Sequence, residues 1–155
     1  MSSIAYIALG ANLGDRRANI DAAIAQLRAT NGVSVGKISS LLENPAVGGP
    51  PDSPAFLNAV AEIETTLSPR ELLDRLLEIE RTLGRQRRDK WGPRAIDLDL
   101  ILFGDQIVAE PHLQVPHPLM HERRFVLHPL AEIAPDARHP VLNQTARELL
   151  KRLPV

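Results

Sequence analysis

The chain has 155 residues, 44% of them hydrophobic and 24% charged, which is enough for one globular core and short for two, so a single domain over residues 1–155 is expected. A net charge of -1 gives no global pull toward nucleic acid or anionic membrane, and the absence of Cys excludes disulfide and thiolate chemistry and agrees with a reducing compartment. The longest N-terminal apolar run, Ile4 to Leu9, is too short to span a bilayer and follows no basic segment, so a soluble cytoplasmic protein is expected.

In chain order, Ile4 to Gly10 is a β-rich run ending in the turn cluster Gly-Ala-Asn-Leu-Gly-Asp. Ile20, Ala23, Ile24 and Leu27 recur at helical spacing, with Asn31-Gly32 as the stop. A second strand is expected from Val33 to about Leu42. The segment Glu43 to Pro54 then carries four prolines and two glycines and reads as a loop, of the kind that more often binds than spaces. Phe56 to Ile63 alternates as a strand. One face of it begins with Phe56 and Asn58, an aromatic and an amide suited to a flat heterocycle, although an ordinary amphipathic strand explains the pattern almost as well. Ser68-Pro69-Arg70-Glu71 starts a helix with a capping box and proline at its first position, and the helix runs to Gly84. Glu80 falls at the edge of its apolar stripe and needs a partner.

Arg85 to Phe103 is the most informative stretch. Its first half sets Arg85, Arg87, Arg88, Lys90 and Arg94 against Asp89 alone, between Gly84 and Gly92-Pro93, and reads as a basic loop. Its second half alternates as a strand, with Asp97, Asp99, Ile101 and Phe103 on one face and Ile96, Leu98, Leu100 and Leu102 on the other. Both faces are largely apolar, so burial on both is expected, and two carboxylates roughly 7 Å apart at their bases would repel each other there without a cation. Carboxylates for a hard metal beside arginines for phosphate suggest a nucleotide site.

Further on, Gly104-Asp105 signals a turn before a short apolar run, Ile107 to Val108. His117 and His121, four apart, invite a zinc reading that Pro118 and the missing HExxH glutamate weaken. Thr145 to Glu148 is a second capping box, opening a short final helix with Leu149, Leu150 and Leu153. No GxGxxG is present, and the nearest approach to a P-loop, Gly32 to Ile38, is one residue short and has Ile where Ser or Thr must hold Mg²⁺.

The run KWGPRAIDLDLILFG, Lys90 to Gly104, resembles the signature of the 6-hydroxymethyl-7,8-dihydropterin pyrophosphokinases. YIALGANLGDR from Tyr6, FLNAV at Phe56 to Val60, IERTLGRQR at Ile79 to Arg87 and VPHPLMHERRFVLHPLAEIAP from Val115 to Pro135 are similar to that family in the same order, so the likeness covers essentially the whole chain. It implies a ferredoxin-like α/β sandwich of the α+β class, with a mainly antiparallel sheet, helices packed on it and long active-site loops. It also implies transfer of pyrophosphate from ATP to the pterin, with release of AMP and two Mg²⁺ ions as cofactors. The partners implied are the two small substrates alone, with no nucleic acid and no membrane, on a monomer.

By the resemblance, Asp97 and Asp99 are the metal ligands, and Arg85 and Arg94 are catalytic arginines that engage the phosphates as the loop closes. Glu80, Arg87, Leu100, His117 and Arg123 bind ATP, Leu100 through its backbone at the adenine. Phe56 and Phe125 sandwich the pterin, Asn58 hydrogen-bonds its ring, Asn44, Pro45 and Val47 line its pocket, and Trp91 packs over it. Three positions depart from residues that some members carry: His112 stands where some have a phosphate-contacting arginine, Pro118 where some have an aromatic, and Leu77 where some have a polar residue near the nucleotide.

Overall fold

The computed structural model describes residues 2–44, 55–84 and 96–154. Two β-α-β units build its main sheet. The first runs β1 (Ser3–Ala11), α1 (Arg16–Arg28), β2 (Val33–Ile38), and the second β4 (Phe56–Thr65), α2 (Pro69–Gly84), β5 (Asp97–Phe103), with a three-residue β3 (Leu42–Asn44) between them. The strand order is β2-β4-β1-β5 with every neighbour antiparallel, and β3 pairs with β4 beyond the end of β2. This is the ferredoxin-like arrangement. A hairpin of β6 (Val108–Glu110) and β7 (Leu113–Val115) follows, then a 3-10 turn (Met120–Glu122), α3 (Arg124–Ile133), a hairpin of β8 (Arg138–His139) and β9 (Gln144–Thr145), and α4 (Ala146–Arg152).

The sheet has a core on each side. Ala5, Ile7, Leu9 and Ala11 of β1 alternate toward α1 and α2, where they meet Ile20, Leu27, Leu72, Leu76 and Ile79. On the opposite face Tyr6, Ala8 and Val60 meet Val126, Leu127 and Leu130 of α3 and Leu149 of α4. The helices start where side chains satisfy their first amides. Asp15 accepts from Ala18 N–H, Ser68 and Glu71 exchange hydrogen bonds, and Thr145 and Glu148 do the same.

Three expectations need correction. β1 continues through Gly10 to Ala11, because Gly10 pairs in register with Asn58 and with Asp97 instead of turning. The second strand is broken: β2 stops at Ile38, and Glu43 and Asn44, expected in the loop, form β3 against Leu57 and Phe56. The alternation of β5 also fails near its end. Leu100 pairs with Ile7 and Leu102 with Tyr6, so Ile101 is an extra residue, a β-bulge. Past it, Leu102 joins the α3 side and Phe103 the α1 side, the reverse of strict alternation. Helix α3 was not among the expected elements; it contains Pro129, and Val126, Leu127, Leu130 and Ile133 bury one face of it. Residues 45–54 and 85–95, including the basic loop, lie outside the described residues.

Leu76 is fully buried and Ile107 is 61% exposed. Leu76→Ala is expected to lower unfolding free energy by about 2–5 kcal/mol and Ile107→Ala by no more than about 0.5 kcal/mol, as read by urea denaturation. Buried His139 accepts hydrogen bonds at Nδ1 from the amides of Val141 (3.2 Å) and Leu142 (3.0 Å), closing the β8-β9 turn. Burial, and then neighbouring His121, hold its pKa below the ordinary 6.5. The neutral form is therefore favoured in the fold, so its contribution is complete above pH 6.5 and falls as the pH drops from there toward the lowered value. Stability of His139→Gln should change less steeply between pH 7 and 5 than that of the parent chain; equal slopes would refute the assignment.

Candidate active site

Strand register builds the floor of the site. Across the sheet, Asn58, Gly10 and Asp97 fall in one row, and Val60, Ala8 and Asp99 in the next. Residues paired in register point to the same face, and these rows face α3. Ala8, Gly10, Asn58, Asp97 and Asp99 of these rows line a cleft of about 430 Å³ together with Leu9, Asn44, Phe56, Arg123, Phe125 and Val126. Gly10 keeps the floor low: a Cβ there would lie 2.9 Å from Asn58 Nδ2 and 3.7 Å from Phe56 Cδ1. The pocket exists because one strand residue has no side chain. Asn58 is buried, and its Oδ1 has no hydrogen-bond partner among the described residues. Such an acceptor at a cleft wall is stabilised when a ligand N–H meets it.

The carboxylates lie at the wetter end of β5. Asp99 is exposed and Asp97 half-buried, whereas Leu100 to Phe103 are buried. The expected burial of the strand on both faces thus begins only beyond the Asp pair. Among the described residues no group of three or more His, Cys, Asp and Glu could hold a metal ion by itself. Two carboxylates beside Gly10 and Ala8 suit Mg²⁺, which takes one or two carboxylates and completes its shell with water and substrate phosphate. The donor set fits a metal that arrives with its substrate. His121 meets His139, edge to face with ring centroids 6.2 Å apart, and among the described residues no group of three or more His, Cys, Asp and Glu assembles around His117 and His121.

Asp99 also borders a second cavity, of about 260 Å³, on the outer edge of β5, lined by Leu73, Leu98, Leu100, Gln114 and His117 among others. Among the described residues β5 is the last strand of the sheet, so its outer backbone groups make no ladder bonds to a further strand. The Leu98 N–H donates to Glu80 Oε2 at 2.7 Å, which identifies one partner of that carboxylate. By the two-residue period of a strand, Leu100 presents its backbone on the same side, as an adenine contact requires. The His117 N–H donates to the carbonyl of the bulge residue Ile101 at 3.0 Å, so the bulge helps to place this imidazole. His117 Nδ1 accepts from Leu119 N–H at 3.1 Å. In the neutral ring the proton then sits on Nε2. Burial holds the His117 pKa below 6.5, with Asp99 pulling upward and Arg123 adding to the depression. His117 is thus a neutral donor near pH 7.

Of the expected nucleotide residues, Leu100 and His117 line the second cavity, Glu80 anchors its strand, and Arg123 lines the larger cleft with its guanidinium 5.5 Å from the centre of the Phe125 ring. Asn44, Phe56, Asn58 and Phe125, expected at the pterin, are brought together in the larger cleft. Arg85, Arg87, Arg94, Trp91, Pro45 and Val47 lie outside the described residues. His112 and Pro118 line the second cavity, and Leu77 is 39% exposed on α2. Sequence reasoning missed Gly10, Ala8 and Val126; only Gly10 carried a signal, a glycine following an apolar strand pattern.

Residues 6–135 match the family model of 7,8-dihydro-6-hydroxymethylpterin-pyrophosphokinase (HPPK). The chain is 50% identical over 133 residues to the 2-amino-4-hydroxy-6-hydroxymethyldihydropteridine pyrophosphokinase of Bacillus subtilis, covering 86% of this chain and 79% of that protein. It is 45% identical over 135 residues to the protein of the same name from Pseudomonas aeruginosa, covering 87% and 83%. The crystal structure of wild-type Plasmodium falciparum HPPK-DHPS superposes with a TM-score of 0.75 at 16% identity, over 98% of this chain and 45% of that one, a likeness of fold. This chain thus spans less than half of that larger protein. The chain belongs to the 7,8-dihydro-6-hydroxymethylpterin-pyrophosphokinase family.

Proposed function

We infer that the protein transfers the β,γ-pyrophosphoryl group of ATP to the hydroxymethyl oxygen of 6-hydroxymethyl-7,8-dihydropterin, giving AMP and the pterin diphosphate, a step of folate biosynthesis. The observation that carries the reading is that Asp99 borders two cavities, one with aromatic and amide walls and one along an open strand edge. Two substrates placed in them meet at the carboxylate pair.

In this reading the pterin stacks between Phe56 and Phe125 and hydrogen-bonds Asn58, whose buried Oδ1 is otherwise unmatched. The adenine takes the Leu100 backbone, and Glu80 holds β5 in place through the Leu98 amide. His117 donates Nε2–H to a phosphate oxygen, and Arg123 turns from the Phe125 face to do the same. Asp97 and Asp99 would hold divalent cation, two Mg²⁺ in our proposal, which when bound supplies neutralisation of phosphate charge. We assign the phosphate-closing role to Arg85 and Arg94, a further phosphate contact to Arg87, and pterin contacts to Pro45, Val47 and Trp91, on the family pattern alone. No general base is required, because a loose phosphoryl transfer depends chiefly on positioning and electrostatics. We propose a cytoplasmic monomer; no described helix is long and apolar enough to cross a membrane.

Asp97→Ala and Asp99→Ala should each fold and lose on the order of 10³-fold in turnover, measured as AMP release from Mg-ATP and the reduced pterin, since each removes charge stabilisation worth several kcal/mol. Activity within about tenfold of the parent chain in either variant would end the metal-ligand assignment. Gly10→Ala should displace Asn58, raising KM for the pterin about tenfold or more while KM for ATP stays within about twofold. A parallel rise in both constants would show that Gly10 does not act through the pterin cleft.

A further inference from the structure

We propose that Arg16 is a positioning residue for the pterin cleft, fastening the two points where the chain leaves β3 and enters β4 and so fixing Asn44 against Phe56. The inference rests on the assignment of that cleft to the pterin. Arg16 is absent from the cleft walls, so it acts through the residues it holds.

The geometry is a bridge. Arg16 Nη1 donates to the carbonyl of Ala55 at 2.8 Å and lies 3.0 Å from Glu43 Oε1. Glu43 immediately precedes Asn44, and Ala55 immediately precedes Phe56. One terminal nitrogen of a guanidinium carries two N–H groups, enough for both acceptors. Arg16 is itself held as the first residue of α1, whose N-cap Asp15 accepts from Ala18 N–H at 3.0 Å.

Such a bridge answers a weakness of the fold. β3 has only three residues, paired with Leu57, Asn58 and Phe56 on the edge of the sheet, and so short an edge strand has little ladder to hold it. Its other end is fastened in the same manner: the Ser40 amide and hydroxyl donate to the two carboxylate oxygens of Glu132, at 2.9 and 2.6 Å. One side chain from α1, below the sheet, and one from α3, above it, thus hold β3 at its two ends. The Arg16 side chain is 29% exposed and that of Glu43 64%, so the pair contributes little to global stability. Its contribution is to the position of two cleft residues.

The test compares Arg16→Ala, Arg16→Lys and Glu43→Gln with Asn58→Ala. Affinity for 6-hydroxymethyl-7,8-dihydropterin is measured by calorimetry in the presence of a non-hydrolysable ATP analogue and Mg²⁺, affinity for the analogue is measured alone, and folding is followed by thermal unfolding. Arg16→Ala should weaken pterin binding about tenfold, the equivalent of one charge-assisted hydrogen bond, with analogue affinity and melting temperature nearly unchanged. Lys, which can reach one acceptor, should restore part of the loss, and Glu43→Gln should reproduce part of it. Pterin affinity within about twofold of the parent in Arg16→Ala, while Asn58→Ala loses it, would overturn the positioning role alone. Unchanged pterin affinity in both would overturn the cleft assignment. An equal loss for pterin and nucleotide, or no difference between Ala and Lys, would also overturn the proposal; if Arg16→Ala does not fold, the same criteria apply to Arg16→Lys and Glu43→Gln.

Discussion

Two like charges on one face of a strand repel, and Asp97 and Asp99 lie two residues apart facing α3. The protein admits them by leaving that end of β5 open and by keeping the adjacent strand small, with Gly10 and Ala8 opposite them. What gathers nearby is suited to negative charge on a ligand: the guanidinium of Arg123 and the imidazole of His117, which interacts electrostatically with both Asp99 and Arg123. A cation with a polyphosphate satisfies both sets of groups at once.

The same strand divides the two cavities. Its inward face contributes to the cleft under α3, and its outer edge contributes backbone to the second cavity. Neither helical layer alone could form the site. α2 supplies Glu80 to the edge, α3 supplies Phe125 to the cleft, and the bulge at Ile101 turns its carbonyl to the His117 amide between them. The two cores behind these elements make the distance between the cavities a property of the scaffold.

Much of this was legible in the sequence because it rests on local pattern. Both capping boxes could be read directly, as could the amphipathic α2, the alternation of β4 and the Asp pair, and the motifs in their order gave the fold. The parts that could not be read depend on tertiary pairing. Gly10 looks like the start of a turn until Asn58 and Asp97 are seen on either side of it. A bulge leaves no mark on alternation when every residue from Leu100 to Phe103 is apolar. β3 follows no periodicity because it is three residues long, and its Glu43 and the nearby Ser40 meet the distant Arg16 and Glu132. α3 is hidden by Pro129, whose disruption of the helix is offset by a buried apolar face.

The open edge of β5 also has a meaning for the behaviour of the protein in a crowded solution. An unpaired strand edge is a template on which a second chain can add its own strand, the first step toward aggregation. Here the Glu80 carboxylate occupies the Leu98 amide and the main-chain amide of His117 occupies the Ile101 carbonyl, so two residues that we assign to the nucleotide also block that template. In the proposed reading, nucleotide recognition and colloidal solubility therefore rest on the same residues, Glu80 through its carboxylate and His117 through its main-chain amide at this edge.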